Sequence, residues 1–378
     1  SLGWMLWGLP LGFMNLAKER KTRLNLVLIQ ILFLAQNLSS GVEIQTVFGE
    51  TNTPVLEPEV KNLLFTLVTV LVAIWSYSSL KVAIRLGDCY KIARAPLTVS
   101  IAGDSGTGKD TLATALKDMF TPETASIICG DDYHKYERGD DSWRNTTHLN
   151  PTANYLDLWE RDYKLAYNRE YFEQREYNHE TGKFSQLKPR LSRDFLISQG
   201  LHALYANLSE HSDLRVFLSM DDDLRIHLKL NRDHTSRGQN HQSILSNIKK
   251  RESDYLSFIV PQKLNSDIQF HLFRENEDLN LRVSTKGSIT VDDFMKELGK
   301  YPEIKITKSH SFNENIYEIR STNANRDLLL EILKNKLSAF DQLFLVEPQL
   351  PAGPLGIMTA LTIIMVTSKR QASYDQTN

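Results

Sequence analysis

Cysteine is nearly absent: the 378 residues include two, Cys89 and Cys129, and they are not in a metal-ligand spacing. That excludes a disulfide scaffold and a cysteine-rich zinc site, and it fits a reducing compartment. Cys129 sits in an apolar run and reads as a buried free thiol. A dominant charge sign is missing as well. Lys and Arg number 44 against 46 Asp and Glu, a formal net charge of −2, so bulk composition gives no argument for a nucleic-acid partner. A signal peptide is also a poor reading, because no cleavage pattern stands out and two further apolar segments come after the first. What is present is length enough for two or three domains, each with its own core.

The first ninety residues differ from the rest. Residues 1–17, 24–42 and 62–80 carry no charge, and a helix needs about 20 mostly apolar residues to cross a bilayer. The stretch Leu63 to Trp75 is the strongest of the three. The second weakens after Gln36, and the first contains Pro10 and suits an interfacial position. Buried helices in a soluble domain are the alternative, since periodicity alone does not separate the two. Charge placement favours the membrane. The 18–23 loop is basic, the 43–61 loop is acidic, and Lys81, Arg85, Lys91 and Arg94 come after the third stretch. Positive-inside counting then puts 18–23 and everything after residue 81 in the cytoplasm. The expectation is a membrane-associated helical segment at 1–90, of two to three spans, with the lipid bilayer as partner. Trp4 and Trp7, already in apolar context close to Ser1, suggest a piece of a longer membrane protein.

Leu97 to Ala102 is apolar and β-branched and is preceded by Pro96, which reads as a buried strand. Gly103-Asp104-Ser105-Gly106-Thr107-Gly108-Lys109-Asp110-Thr111 comes next, then the helical run Leu112 to Leu116. Strand, glycine-rich loop and helix is the context of a phosphate-binding P-loop. The glycines let backbone N–H groups turn toward phosphate oxygens, and the helix N-terminus adds its positive end. Gly103, Ser105, Gly106, Thr107, Gly108, Lys109, Asp110 and Thr111 are the nucleotide-binding candidates, with Lys109 reaching the β- and γ-phosphates. One position departs from the pattern. Asp110 stands where a Ser or Thr hydroxyl ordinarily ligates Mg²⁺.

A bare P-loop does not separate ATPases, GTPases and small-molecule kinases, but the residues after it do. Ser126 to Cys129 reads as a second buried strand, ending in Gly130-Asp131-Asp132-Tyr133-His134-Lys135-Tyr136-Glu137-Arg138. Then come Leu149-Asn150-Pro151-Thr152-Ala153-Asn154-Tyr155, Tyr177-Asn178-His179, Ser198-Gln199-Gly200-Leu201-His202, Asn231-Arg232-Asp233 with Arg237-Gly238, and Val260-Pro261-Gln262-Lys263. This ordered set resembles the phosphoribulokinase and uridine kinase family, nearest its phosphoribulokinase branch, over residues 95–272.

The resemblance implies an ATP- and Mg²⁺-dependent kinase acting on a hydroxyl of a small metabolite, a pentose phosphate, nucleoside or related sugar. Asp131 matches the general base; its bland alternative is a strand-end Asp capping a turn. His134 and Arg138 match residues that hold a sugar phosphate, and Tyr177 and His179 match the substrate-side hairpin. A structural role stays open for His179, and a solvated charge for Arg138. Arg232 and Arg237 fall on the segment resembling the lid, where cations meet the charge on the transferring phosphoryl. An ordinary amphipathic helix is the other reading there, and it weighs most on Lys229. Gln199 replaces a family acid that helps hold Mg²⁺, so Asp110 and Gln199 are together the metal candidates. The two departures motivate a second function: a catalytically weak nucleotide-sensing membrane module derived from such a kinase.

Beyond residue 276 a strand at 279–284, a helix at 290–299, two alternating strands and a helix at 328–337 form a small unit without a catalytic constellation. It either pairs with the kinase sheet or dimerises, the latter making a homo-oligomer. Leu355 to Val366 reads as a buried terminal helix. The fold class is therefore α/β: a P-loop NTPase-type parallel sheet flanked by helices at 91–275, with an N-terminal transmembrane helical segment at 1–90 and a C-terminal α+β unit at 276–378. The kinase domain is expected to face the cytoplasm from a multi-pass membrane protein.

Overall fold

The computed structural model describes residues 43–46, 49–52, 57–86 and 95–377, apart from 121–123, 143–145, 238–240, 276–277, 287–288, 290, 312, 321–323, 338–339 and 345–346. The chain divides into two units, Ser1–Arg94 and Ala95–Asn378. In the first, strands β1 (Glu43–Thr46) and β2 (Gly49–Asn52) pair antiparallel. Helix α1 (Pro58–Leu86) opens with proline and an acid in its first turn, both suited to a helix N-terminus. Leu63, Phe65, Val70 and Ile74 are exposed on it.

The membrane expectation is corrected here. Among the described residues, no helix is long and apolar enough to cross a membrane. The apolar run of α1 from Leu63 to Ile74 gives about 18 Å of helix rise, against a hydrocarbon core of about 30 Å. The transmembrane segment and the multi-pass localisation with the kinase domain facing the cytoplasm are thereby overturned. The other two apolar stretches, 1–17 and 24–42, lie outside the described residues.

The second unit begins with β3 (Leu97–Gly103), α2 (Lys109–Asp118), β4 (Ala125–Cys129) and α3 (Leu156–Tyr167). Four short strands come next, β5 (Phe172–Gln174), β6 (Tyr177–Asn178), β7 (Lys183–Phe184) and β8 (Lys188–Arg190), then β9 (Phe195–Gly200) and β10 (Leu214–Met220). After these stand α4 (Asp222–Arg237), α5 (His241–Asp254), β11 (Ile268–Glu275), β12 (Asp278–Lys286) and α6 (Asp292–Leu298). The chain closes with β13 (Lys305–Ser311), β14 (Glu314–Arg320), α7 (Arg326–Lys336) and α8 (Gly353–Thr377).

Eight of these strands form one sheet in the order β13-β14-β12-β11-β10-β3-β9-β4. Strands β4, β9, β3, β10 and β11 are parallel, while β12, β14 and β13 continue the sheet antiparallel. The parallel strands are covered on both faces, and β3 and β9 are buried along almost their whole length. Helices α2, α7 and α8 share one core with Val99, Ile101 and Val216. Trp159 and Tyr163 of α3 pack the other face with Leu196 and Phe217.

Two contacts in these cores position the site. The Trp159 ring lies over Gly130 and Gly200, where a Cβ would come within 2.6 and 2.7 Å of it. Only glycine fits, so the ends of β4 and β9 are drawn under one indole, whose removal would cost about 3–5 kcal/mol. On the opposite face of the sheet, α8 is buried through Ile357, Leu361 and Val366, as read from the sequence. Its Arg370 then binds Asp213 and the carbonyls of Ala95 and Pro96, fastening the entry to β3.

Candidate active site

Parallel α/β sheets gather ligand groups beyond the carboxyl ends of their strands, and β3, β9 and β4 end side by side here. The loop after β3 turns through Gly106 at φ 88° and Gly108 at φ 89°, left-handed conformations open to glycine. Helix α2 starts at Lys109, so its first N–H groups face the loop. The buried Lys109 ammonium donates to the Asp104 carbonyl at 2.7 Å, and the Thr107 hydroxyl donates to the same oxygen at 2.8 Å. Asp104 also accepts from the Ser105 N–H at 2.6 Å and pairs with Arg225 of α4. Arg225 is held further by Asp222 at 2.8 Å and by the Tyr255 ring.

Beside the loop, Gln199 at the end of β9 donates its amide nitrogen to Asp110 at 2.8 Å and to the Cys129 sulfur at 2.9 Å. Burial, together with the nearby Asp131, Asp132 and Asp110 charges, pushes the Cys129 thiol up. Among the described residues, no group of three or more His, Cys, Asp or Glu is arranged to hold a metal ion. The donors at hand are the Asp110 carboxylate and the Gln199 amide oxygen. With phosphate oxygens and water they make the all-oxygen set Mg²⁺ prefers.

Asp131 sits on the short turn after β4. Its carboxylate lies 3.2 Å from His179 Nε2 and 3.6 Å from His134 Nε2. Burial opposes its ionisation, but the His179 hydrogen bond and the His134, His179 and His148 charges outweigh that and hold it well below the usual carboxylate range. Burial itself lowers the pKa of both His134 and His148, so the His179 bond is the contribution that stands at neutral pH. Asp131 remains 26% exposed, enough for a hydroxyl to reach it. Tyr177 packs edge-on against both His134 and His179, at ring distances of 5.5 and 5.2 Å.

The neighbouring carboxylate has a different fate. Burial pushes Asp132 up to about 7, although its Oδ1 accepts the Tyr177 N–H at 2.7 Å. It thereby ties the β6 hairpin to the strand end. Arg138 does similar work on the far side, donating to the carbonyls of His179 at 2.6 Å and Glu180 at 3.2 Å. Sequence reasoning assigned that guanidinium to a substrate phosphate, and the structure gives it a hairpin to hold as well.

Asp131, His134, Tyr177 and His179 thus form one cluster, and Lys109, Asp110, Thr111 and Gln199 a second. His202 is buried within electrostatic reach of both Asp131 and Lys109, and burial lowers it to about 4. Arg232 and Arg237 belong to α4, but their side chains lie outside the described residues. Three groups escaped the sequence reading. Arg225 meets Asp104 across a separation of 121 positions, Arg251 acts on His134 and His148, and Arg175 donates to the His134 carbonyl at 2.6 Å. No local motif marks any of them.

Residues 98–278 match the model of the Phosphoribulokinase / Uridine kinase family. The chain is 33% identical over 191 residues to a phosphoribulokinase of Synechocystis sp., covering 49% of this chain and 58% of that protein. It is 28% identical over 182 residues to a uridine kinase of Latilactobacillus sakei, covering 46% of this chain and 85% of that protein. The chain therefore spans less than two thirds of the length of the curated phosphoribulokinase. Among solved structures, the phosphoribulokinase from Rhodobacter spheroides aligns with a TM-score of 0.49 at 20% identity, covering 73% of this chain and 99% of that one.

Proposed function

We propose, from the premise that the segment 98–278 belongs to the phosphoribulokinase and uridine kinase family, that this chain transfers the γ-phosphoryl group of ATP to a hydroxyl of a small metabolite. A pentose phosphate, a nucleoside or a related sugar is the acceptor class. One observation carries the reading: an ionised, partly exposed Asp131 at the end of β4, oriented by His179 at 3.2 Å, in the sheet whose β3 opens into the P-loop.

Those positions set the chemistry. The P-loop N–H groups and Lys109 hold the β- and γ-phosphates. Asp131 takes the acceptor's proton as its oxygen bonds to the γ-phosphorus and the bond to the β–γ bridging oxygen breaks. ADP is the leaving group. His134, Tyr177 and His179 orient the acceptor, and Arg232 and Arg237 on α4 meet the charge spread over the phosphoryl oxygens. Asp110 and Gln199 would hold Mg²⁺, which would supply neutralisation of the charge developing on the transferring phosphoryl group. The test is ADP release with a panel of pentose phosphates, nucleosides and sugars. Acceptor-dependent release is expected from at least one class.

A second reading, a nucleotide-binding module with little catalysis, is favoured by a single feature. Gln199 donates to the Asp110 carboxylate at 2.8 Å, so one of its oxygens already has a partner. ATP binding without transfer to any acceptor would replace the first reading with this one.

A further inference from the structure

We infer that His271 of β11 is a positioning residue: held at both ring nitrogens, it fixes the start of α4 through Asp221 and so sets how that helix lies on the P-loop. This deepens the transfer reaction proposed above and rests on it. Strands β10 and β11 run parallel, with Ser219 opposite His271 and Met220 opposite Leu272. The His271 Nδ1 lies 3.0 Å from the Ser219 hydroxyl, and its Nε2 lies 3.0 Å from the Asp221 carboxylate.

Those partners assign the ring's orientation. A carboxylate only accepts, so Nε2 donates to Asp221. Burial holds His271 below its ordinary value despite Asp221. The ring is then uncharged at neutral pH, and its Nδ1 accepts from the Ser219 hydroxyl. A flip of the ring would lose both bonds. Arg282 on β12 and Lys263 are the cations that face it, and Arg282 is itself paired with Glu318 at 2.7 Å. Phe273 stacks beside the imidazole at a ring distance of 6.5 Å.

Asp221 is the N-cap of α4, because its carbonyl accepts the first helical bond, from the Arg225 N–H at 2.9 Å. Its own N–H donates to the Leu272 carbonyl at 3.0 Å. Backbone and side chain of this one residue thus both bind β11. One turn further along α4, Arg225 pairs with Asp104 of the P-loop. One turn beyond that, the Lys229 Cβ lies 3.9 Å from where a Cβ on Gly106 would stand. The first two turns of α4 therefore lie along the loop that receives the triphosphate. From Asp222 to Lys229 the helix rises about 10 Å, so a tilt of about 6° at the cap moves the far end by about 1 Å. A misplacement of that size costs up to about 10²-fold in rate.

The experiment compares His271→Gln with His271→Asn in the full chain. A Gln amide reaches the place of Nε2 and keeps the Asp221 bond, whereas an Asn amide stops at the place of Nδ1 and keeps only Ser219. His271→Asn is expected to lower kcat by about tenfold or more, with ADP affinity, measured by titration, kept within about twofold. His271→Gln is expected to hold kcat within about threefold of wild type. Hydrogen exchange of the α4 amides from Ile226 to Leu230 is expected to run about tenfold faster in His271→Asn than in His271→Gln. Equal kcat in the two variants overturns the inference, whether both keep it or both lose it, and so does equal exchange. A His271→Asn loss matched by an equal loss of ADP affinity also overturns it, since that marks damage to the P-loop itself. If the wild-type protein transfers phosphoryl to no acceptor, the kinase reading falls and exchange alone decides. Faster exchange in His271→Asn then sustains the role of His271, and equal exchange removes it.

Discussion

Gln199 and Asp110 face one another at 2.8 Å across 89 positions of sequence. In P-loop NTPases the metal is held by a hydroxyl on the P-loop helix and an acid at a neighbouring strand end. Here the carboxylate stands on the helix and the neutral amide on the strand. Relative to that pattern the pair keeps one carboxylate, and the two places are exchanged.

That exchange predicts a specific pattern of rescue. Asp110→Ser should impair Mg²⁺-dependent turnover, and Asp110→Ser with Gln199→Glu should recover much of it. Steady-state rates over a Mg²⁺ titration check both variants. If Asp110→Ser alone tightens ATP binding and raises turnover, Asp110 is a liability and the nucleotide-binding reading gains.

Asp131→Asn should lower turnover by about 10²–10⁴-fold, the usual contribution of a general base. ATP affinity should stay nearly unchanged, because the base acts on the acceptor. Lys109→Ala should do the reverse and weaken nucleotide binding itself. An Asp131→Asn enzyme that keeps more than a tenth of the wild-type rate removes Asp131 from the role.

Asp132 makes stability depend on pH. Its carboxyl is raised from 3.8 to about 7 by burial, so the folded state holds a proton that the unfolded chain releases. Its contribution is fully present below the unfolded value and is lost as pH rises through the folded one. Asp132→Asn carries no such loss. The Tm of the variant relative to wild type should therefore climb between about pH 4 and pH 7 and then level off. A difference that is flat or falls over that window contradicts the assignment.

Arg370→Ala should destabilise the second unit by about 1.5–3 kcal/mol, the range for hydrogen bonds to a charged group. The guanidinium serves Asp213 and the carbonyls of Ala95 and Pro96 together, and Asp213 in turn accepts from the Thr98 N–H at 2.8 Å. Denaturant titrations of Arg370→Ala, Asp213→Ala and the double variant should show losses that do not add, as expected for one shared network. Fully additive losses would mean that the two residues act separately.

The sequence by itself determined what lies within a few neighbouring residues. A β-branched run, three glycines and a lysine specify strand, phosphate loop and helix at 97–118, because backbone conformation there is decided locally. Asp131 at a strand end and His179 on a hairpin were legible the same way, through motifs carried in order. The apolar run at 63–74 was legible too, but uncharged length was counted as apolar length, and Ser76, Ser78 and Ser79 end the run. Tertiary structure alone showed that β12, β14 and β13 extend the kinase sheet, since a β11 edge accepts whichever strand reaches it. It alone brought Arg225 to Asp104 and Arg370 to the start of β3. Such pairs join side chains far apart along the chain, and only the packing of helices on both faces of the sheet sets the distance between them.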